Sequence, residues 1–568
     1  WLRASAPASE LTMKVPLAAA TAGQLNTLKY LVETQYMPID LEVSAAVAAK
    51  HGHYEVVHYL VDTVGVVISS KLLTAALAGR NAAIVDLVVS RVELRMDTSL
   101  LLAAVNTGSP AVVSTFVSAL VRRKTWTQSL ALEAYDAAVA AGHLDVAKWL
   151  VTDGELDLVA TATALHTAIA ARDDPDFVSW LVEHGADLEA LPSGYDLPPT
   201  LFAVRQDKFE SFKALVAAGA DVNATATGNG FTALHTAAST AKFELALWLI
   251  TDGGAQVDVV TPSTLISPLF VAAEAGDMDM VQMLVIEGKA DPQLRTALGC
   301  TPVYIAAEGG HLEVVQWLVE DGGGSATLAA QRNWLPLHIA AQEGQLDVVR
   351  YLVMEAGVGV DVEVSDGRTA TYIAAWRGHE PVVRWLAVEA GADINKARHD
   401  GTTPIFPAIR YGHRVLARWM LAKGGATTNE VPQTSYEASP LYWAVTAESE
   451  HAMDGLEMLV TLGGADVTRV YNNSSLLELA VRYNHPEQIG YLLLCGAEAS
   501  AVKLNEQFKE HILGPVNESL REAGVEPSFE KWLLIWVMPM ATAAVMQDVA
   551  KLKRSPMSAM PISPAAIT

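Results

Sequence analysis

The chain has very little cysteine: Cys300 and Cys495 are the only two in 568 residues. Two thiols cannot build a disulfide framework or a cysteine-rich zinc site, and a reducing compartment is expected. Basic residues are also scarce, with Lys plus Arg at 39 against 64 Asp plus Glu and a net charge of -25. A chain this acidic repels a phosphate backbone, so nucleic acid is not an expected partner. Aromatics make up only 7% while apolar residues reach 51%, so the apolar excess is small aliphatics, which suits closely packed helices rather than a disordered chain. No phosphate-binding loop of the G-x-x-x-x-G-K-[ST] form occurs; Gly322-Gly323-Gly324-Ser325 lacks the lysine and reads as a helix end. Neither cysteine lies in a recognisable nucleophile motif, and no cofactor, metal or catalytic residue is expected. The sequence opens at Trp1 with no basic segment leading into an apolar stretch, so no signal peptide is expected within it. From Trp532 to Met546 no charge occurs, but Pro539 interrupts the run, and about 20 residues are needed to span a bilayer. No membrane span is expected.

What is present is a repeat. Blocks begin at Pro268 (PLFVAAEAGDMDMVQMLVIEGKAD), Thr301 (TPVYIAAEGGHLEVVQWLVEDGG), Pro336 (PLHIAAQEGQLDVVRYLVMEAG), Ala370 (ATYIAAWRGHEPVVRWLAVEAGAD) and Thr403 (TPIFPAIRYGHRVLARWMLAKGGA). Gly276, Gly310, Gly344, Gly378 and Gly412 follow one another at steps of 34 residues. Weaker copies start near Pro16, Ala45, Leu73, Leu101, Ala134, Leu165, Thr200 and Thr232 on one side and near Pro440 and Ser475 on the other, about fifteen in all.

A 34-residue step also fits tetratricopeptide repeats, so the internal pattern decides. An Ala-Ala pair, a glycine turn, a second apolar helix and a Gly-Ala-Asp-like ending resemble the ankyrin repeat, whose usual period is about 33. An extra residue before that ending, as at Gly253-Gly254, Gly424-Gly425 and Gly463-Gly464, accounts for the longer step. The resemblance implies an all-α solenoid of L-shaped helix-turn-helix units with hairpin-like loops. It also implies that the histidines of Leu165-His166, Leu234-His235 and Leu337-His338 make turn-fixing hydrogen bonds, and that Asn223 and Asn395 stabilise hairpins. The chain divides into an N-terminal remnant (1–15), degenerate repeats (16–133), clear repeats (134–500), C-terminal capping helices (501–552) and a tail expected to be disordered (553–568).

The Gly-His pairs at 52, 142, 310, 378 and 412 recur at the turn between helices, which marks a structural role. Trp317, Tyr351, Trp385 and Trp419 occupy an apolar position of the second helix and read as core.

Family members dock partners on the concave side formed by hairpin tips and first helices. The two residues before each turn glycine vary here. One row reads Glu274, Glu308, Gln342, Trp376, Arg410; the other reads Ala275, Gly309, Glu343, Arg377, Tyr411. Both change from acidic or neutral to aromatic and cationic at the same place. From Arg368 to Lys423 there are nine basic residues and four acids. Because Trp, Tyr and Arg dominate interface hot spots, Trp376, Arg377, Arg410 and Tyr411 are the expected anchors for an acidic partner segment, with Lys396, Arg398 and His399 assisting. The expected function is a non-catalytic protein-interaction scaffold of the cytoplasm or nucleus. The alternatives are a substrate-recognition subunit of a ubiquitin-ligase-type complex and the cytosolic ankyrin region of a membrane protein. The oligomeric state is left open.

Overall fold

The computed structural model describes residues 8–34, 39–91, 98–154, 156–157, 162–192, 196–428, 439–483 and 485–497. The expected capping helices with the uncharged run Trp532–Met546, the C-terminal tail, residues 1–7 and residues 429–438 lie outside the described residues.

Thirty α-helices are described, and they run as fifteen consecutive contacting pairs. The helix Pro302–Gly309 and its partner Leu312–Glu320 show why the sequence folds this way. Thr301 is extended and its hydroxyl accepts from the Tyr304 N–H at 3.2 Å, satisfying a donor that the first turn leaves open. Pro302 follows at the helix start, where no N–H partner is lost. Gly310, at φ +76°, ends the helix in a left-handed conformation. Val314, Val315 and Leu318 then line the buried side of the second helix, each contributing roughly 1.5–3 kcal/mol by leaving water. Ala306 and Ala307 are fully buried, and their small size lets neighbouring first helices approach. Leu318→Asp would break this unit by placing a charge in the core.

The described residues form two compact units, one up to Gln256 and one from Val257 onward. Within each, first helices pack side by side in one layer and second helices form another, with the core between. One helix pair cannot bury its apolar faces alone, so neighbours complete the core.

Between repeats, hairpin tips project and link to one another. In the second unit the Ala297 N–H donates to the Thr264 carbonyl, Gln331 to Leu298, Ser365 to Arg332 and His399 to Asp366, at 2.8 to 3.1 Å. Asn395 joins its loop to the next one: its Oδ1 accepts from the Thr427 N–H at 2.8 Å and its Nδ2 donates to the Gly425 carbonyl at 3.0 Å. Asn223 likewise accepts from the Gln256 N–H at 2.8 Å. Among the described residues the one regular strand pair is Val470–Tyr471 with Ser474–Ser475, closed by Asn472 and Asn473 at positive φ, as a tight hairpin turn requires.

Candidate partner-binding site

The histidines serve the framework. Buried His338 accepts from the Leu335 N–H through Nδ1 at 3.0 Å, and its Nε2 donates to the Val362 carbonyl at 3.1 Å. Burial, with Arg368 nearby, pushes its pKa down to about 4, so the ring is neutral at pH 7. His235 bonds to the Thr232 hydroxyl at 2.9 Å, and His166 to the Leu197 carbonyl at 2.9 Å. Where tyrosine replaces the histidine at Tyr372, its hydroxyl reaches Thr402 in the next tip at 3.1 Å. The turn histidines reach back one repeat: His311, His379 and His413 meet the carbonyls of Glu274, Gln342 and Trp376 at 2.7 to 3.0 Å. Gly378 (φ +82°) faces the ring of His413, which an added Cβ would meet at 2.4 Å. Of the four aromatics expected in the core, Trp385 and Tyr351 are buried, 5% and 3% exposed, whereas Trp317 and Trp419 are half-buried. Burial pushes both cysteine thiols up, away from the reactive thiolate.

These back-reaching bonds pin the carbonyl row that carries the variable residues. Trp376 and Arg377 close the helix Ala370–Arg377, and Arg410 closes Ile405–Arg410 with Tyr411 just beyond it. The two helices are neighbours. The Trp376 and Tyr411 rings lie 6.2 Å apart between centroids, and Tyr411 is 50% exposed. The Arg377 guanidinium stacks over Trp376 at 4.9 Å, and that of Arg410 over Phe406 at 5.9 Å. Among the described residues neither arginine makes an ion pair.

Arg368, which the sequence reading did not select, organises this site. Its guanidinium lies 5.6 Å from the centroid of Trp334 and 5.5 Å from that of Trp376, and its Nε donates to Asp366 at 2.9 Å. Trp376 therefore carries two guanidiniums on its ring, those of Arg368 and Arg377. The repeat register contains the signal: Trp334 and Arg368 hold the same tip position one step of 34 apart.

The tip residues differ from the helix-end residues. Lys396 pairs with Glu363 at 3.0 Å, Arg398 with Asp366 at 3.1 Å and Asp400 at 2.9 Å, and His399 lies 3.7 Å from Glu363. Lys396, foremost, holds the Glu363 carboxyl below the usual range. Although burial opposes the charge of Asp366, Arg368 and Arg398 hold its carboxyl below the usual range. Much of the tip cation is thus answered within the molecule. Arg384 pairs with Glu380 and Arg414 with Asp454, on the second helices. The other end of the same rows carries Glu274, Glu308 and Glu343, and there burial first, then the charges of Glu343 and Glu274, raise the Glu308 carboxyl.

A pinned framework with variable residues displayed at the first-helix ends defines a helical-repeat binding module. The model for "Ankyrin repeats (3 copies)" matches overlapping stretches from residue 136 to 471, including 269–366 and 371–471. The chain belongs to the ankyrin repeat family. It is 34% identical over 134 residues to the nuclear factor NF-kappa-B p105 subunit of Gallus gallus, covering 23% of this chain and 13% of that protein. It is also 34% identical over 139 residues to ankyrin repeat and SOCS box protein 6 of Homo sapiens, covering 22% of this chain and 32% of that protein. The chain thus spans a third or less of the curated relatives it matches. Ankyrin repeats indicate a protein–protein interaction scaffold, a class that is generally non-catalytic. No helix among the described residues is long and apolar enough to cross a membrane.

Proposed function

We propose that the chain binds a protein partner bearing an acidic segment, through Trp376, Arg377, Arg410 and Tyr411. The observation that carries this reading is an aromatic pair, Trp376 half-buried and Tyr411 exposed, at helix ends that also carry Arg377 and Arg410, neither of which makes an ion pair among the described residues, inside a chain of net charge -25. Among the described residues no carboxylate pairs with either guanidinium, which leaves both to an incoming carboxylate. Lys396, Arg398 and His399 form a rim that contributes less, because Glu363, Asp366 and Asp400 already answer their charge.

The test is capture from lysate by the 568-residue chain and by the same chain carrying Trp376→Ala, Arg377→Glu and Arg410→Glu. Circular dichroism checks that both fold alike, and proteolytic protection maps the captured segment. A partner lost from the variant, with a protected acidic segment, supports the reading. Equal capture by both chains counts against it.

A second reading is favoured by one observation, the likeness to a protein named for an ankyrin repeat and a SOCS box. In that reading the same surface selects a substrate and another part of the protein recruits ubiquitin-ligase machinery. Co-purification of a ligase subunit with both chains, the triple variant included, would support it.

A further inference from the structure

Glu274, Glu308 and Glu343 stand at the ends of three consecutive first helices, Pro268–Ala275, Pro302–Gly309 and Pro336–Glu343, each in contact with the next. Glu308 is half-buried and the other two are exposed. Among the described residues no Lys, Arg or His pairs with any of the three carboxylates. Tyr304 adds a polar group to this place. It precedes Glu308 by one turn of the same helix, on the same face, and is only 8% exposed. Burial first, then Cys300, Glu308 and Glu343, push its hydroxyl up, so that hydroxyl lies within the field of two of the carboxylates. It makes no hydrogen bond among the described residues. The hydroxyl of Tyr372 is tied to Thr402, whereas the residue at that offset from Tyr304 is Trp334, which has no hydroxyl to offer. Phe270 and Phe406 hold the same register position and are buried, so packing does not call for a hydroxyl there.

We propose that Glu308, Glu343 and the Tyr304 hydroxyl form a site for a lysine side chain of a protein partner, with Glu274 adding to the field. An ammonium group brings three N–H donors to three groups that can accept, and it relieves the repulsion among the carboxylates. Among the described residues no group of His, Cys, Asp and Glu is placed to hold a metal ion, so the carboxylates suit the spread donors of a side chain rather than a bare ion. The site does not depend on the acidic-segment reading, which concerns the other end of the rows. Together the two contacts orient one partner, its basic part toward Glu308 and its acidic part toward Arg410.

The test is fluorescence anisotropy at about 50 mM salt with the 568-residue chain and a labelled Gly-Ser peptide carrying two lysines. A chain this acidic attracts lysine diffusely, so two double variants of equal charge are compared. One carries Glu308→Gln and Glu343→Gln. The other carries Glu287→Gln and Glu355→Gln, at exposed positions that end second helices. We expect the first to bind about five- to tenfold more weakly than wild type and the second to stay within about twofold. Tyr304→Phe should weaken binding about threefold with an unchanged urea midpoint. Acetylating the lysines should abolish the difference between the double variants. Equal affinity of the two double variants, a difference that survives acetylation, or no binding of the lysine peptide by wild type overturns the site. Unchanged affinity of Tyr304→Phe overturns the part given to the hydroxyl. None of these outcomes touches Arg377 and Arg410.

Discussion

Acid should loosen the repeat around Pro336–Glu343, and His338 makes the effect calculable. Its Nδ1 accepts from Leu335 and its Nε2 donates to Val362, so the folded ring has no place for a second proton without losing the first of these bonds. Folding lowers its pKa from 6.5 to about 4, chiefly through burial. As pH falls below 6.5, the unfolded chain takes up the proton before the folded one does. The stabilisation is therefore complete above about pH 6.5, declines down to about pH 4, and falls no further below that. From the two pKa values the loss is about 2 kcal/mol at pH 5 and about 3 kcal/mol at its limit. His338→Gln keeps an acceptor and a donor but does not titrate, so the stability gap between wild type and variant isolates this group from His166, whose pKa burial also lowers. Because repeats open locally as well as globally, the assay is hydrogen exchange at the amides of Leu337–Glu343, corrected for intrinsic rates, alongside urea midpoints. The gap should narrow by about 2 kcal/mol between pH 7 and pH 5. An unchanged gap would mean that the ring is not buried and neutral, and would refute the reasoning.

The framework makes further predictions. Asn395→Ala removes three loop-to-loop hydrogen bonds and should cost about 1–3 kcal/mol, seen as faster exchange of the Thr427 amide. Gly378→Ala forces a left-handed backbone on alanine and drives its Cβ into His413, costing roughly 1–3 kcal/mol, read as a lower urea midpoint. Arg368→Ala releases Trp376 without removing an anchor; partner affinity should fall about three- to tenfold while circular dichroism stays the same. Raising salt from 50 to 500 mM should weaken the wild-type complex and hardly affect the weaker complex of Arg377→Glu, Arg410→Glu, by titration calorimetry.

The repeat was legible because its glycines keep a constant step and its alanines and valines recur at helical spacing. The variable rows were legible because the residues before those glycines differ from repeat to repeat while the framework does not. The Trp334–Arg368–Trp376 stack was harder to see, since it joins a tip to the neighbouring tip and to the end of a helix, a contact set by the loop path rather than by periodicity. The pairing of Lys396, Arg398 and His399 was missed for a related reason. Glu363 and Asp366 lie one loop earlier in the stack, more than 30 residues from their partners in sequence, so proximity along the chain does not reveal the pairs. The caps were plain where Thr or Ser precedes a helix, and less so at Leu335, where the His338 ring supplies the acceptor.

The central claim is that the first-helix ends near Trp376 and Tyr411 are where a partner docks. Its most direct test is a photo-crosslinking residue placed at position 411 and, in a second chain, at position 388, which is 69% exposed at the end of a second helix. Our account predicts a partner crosslinked from 411 through an acidic segment, and not from 388. Crosslinking of the same partner from 388 alone, or from 411 through a segment lacking acids, would contradict it.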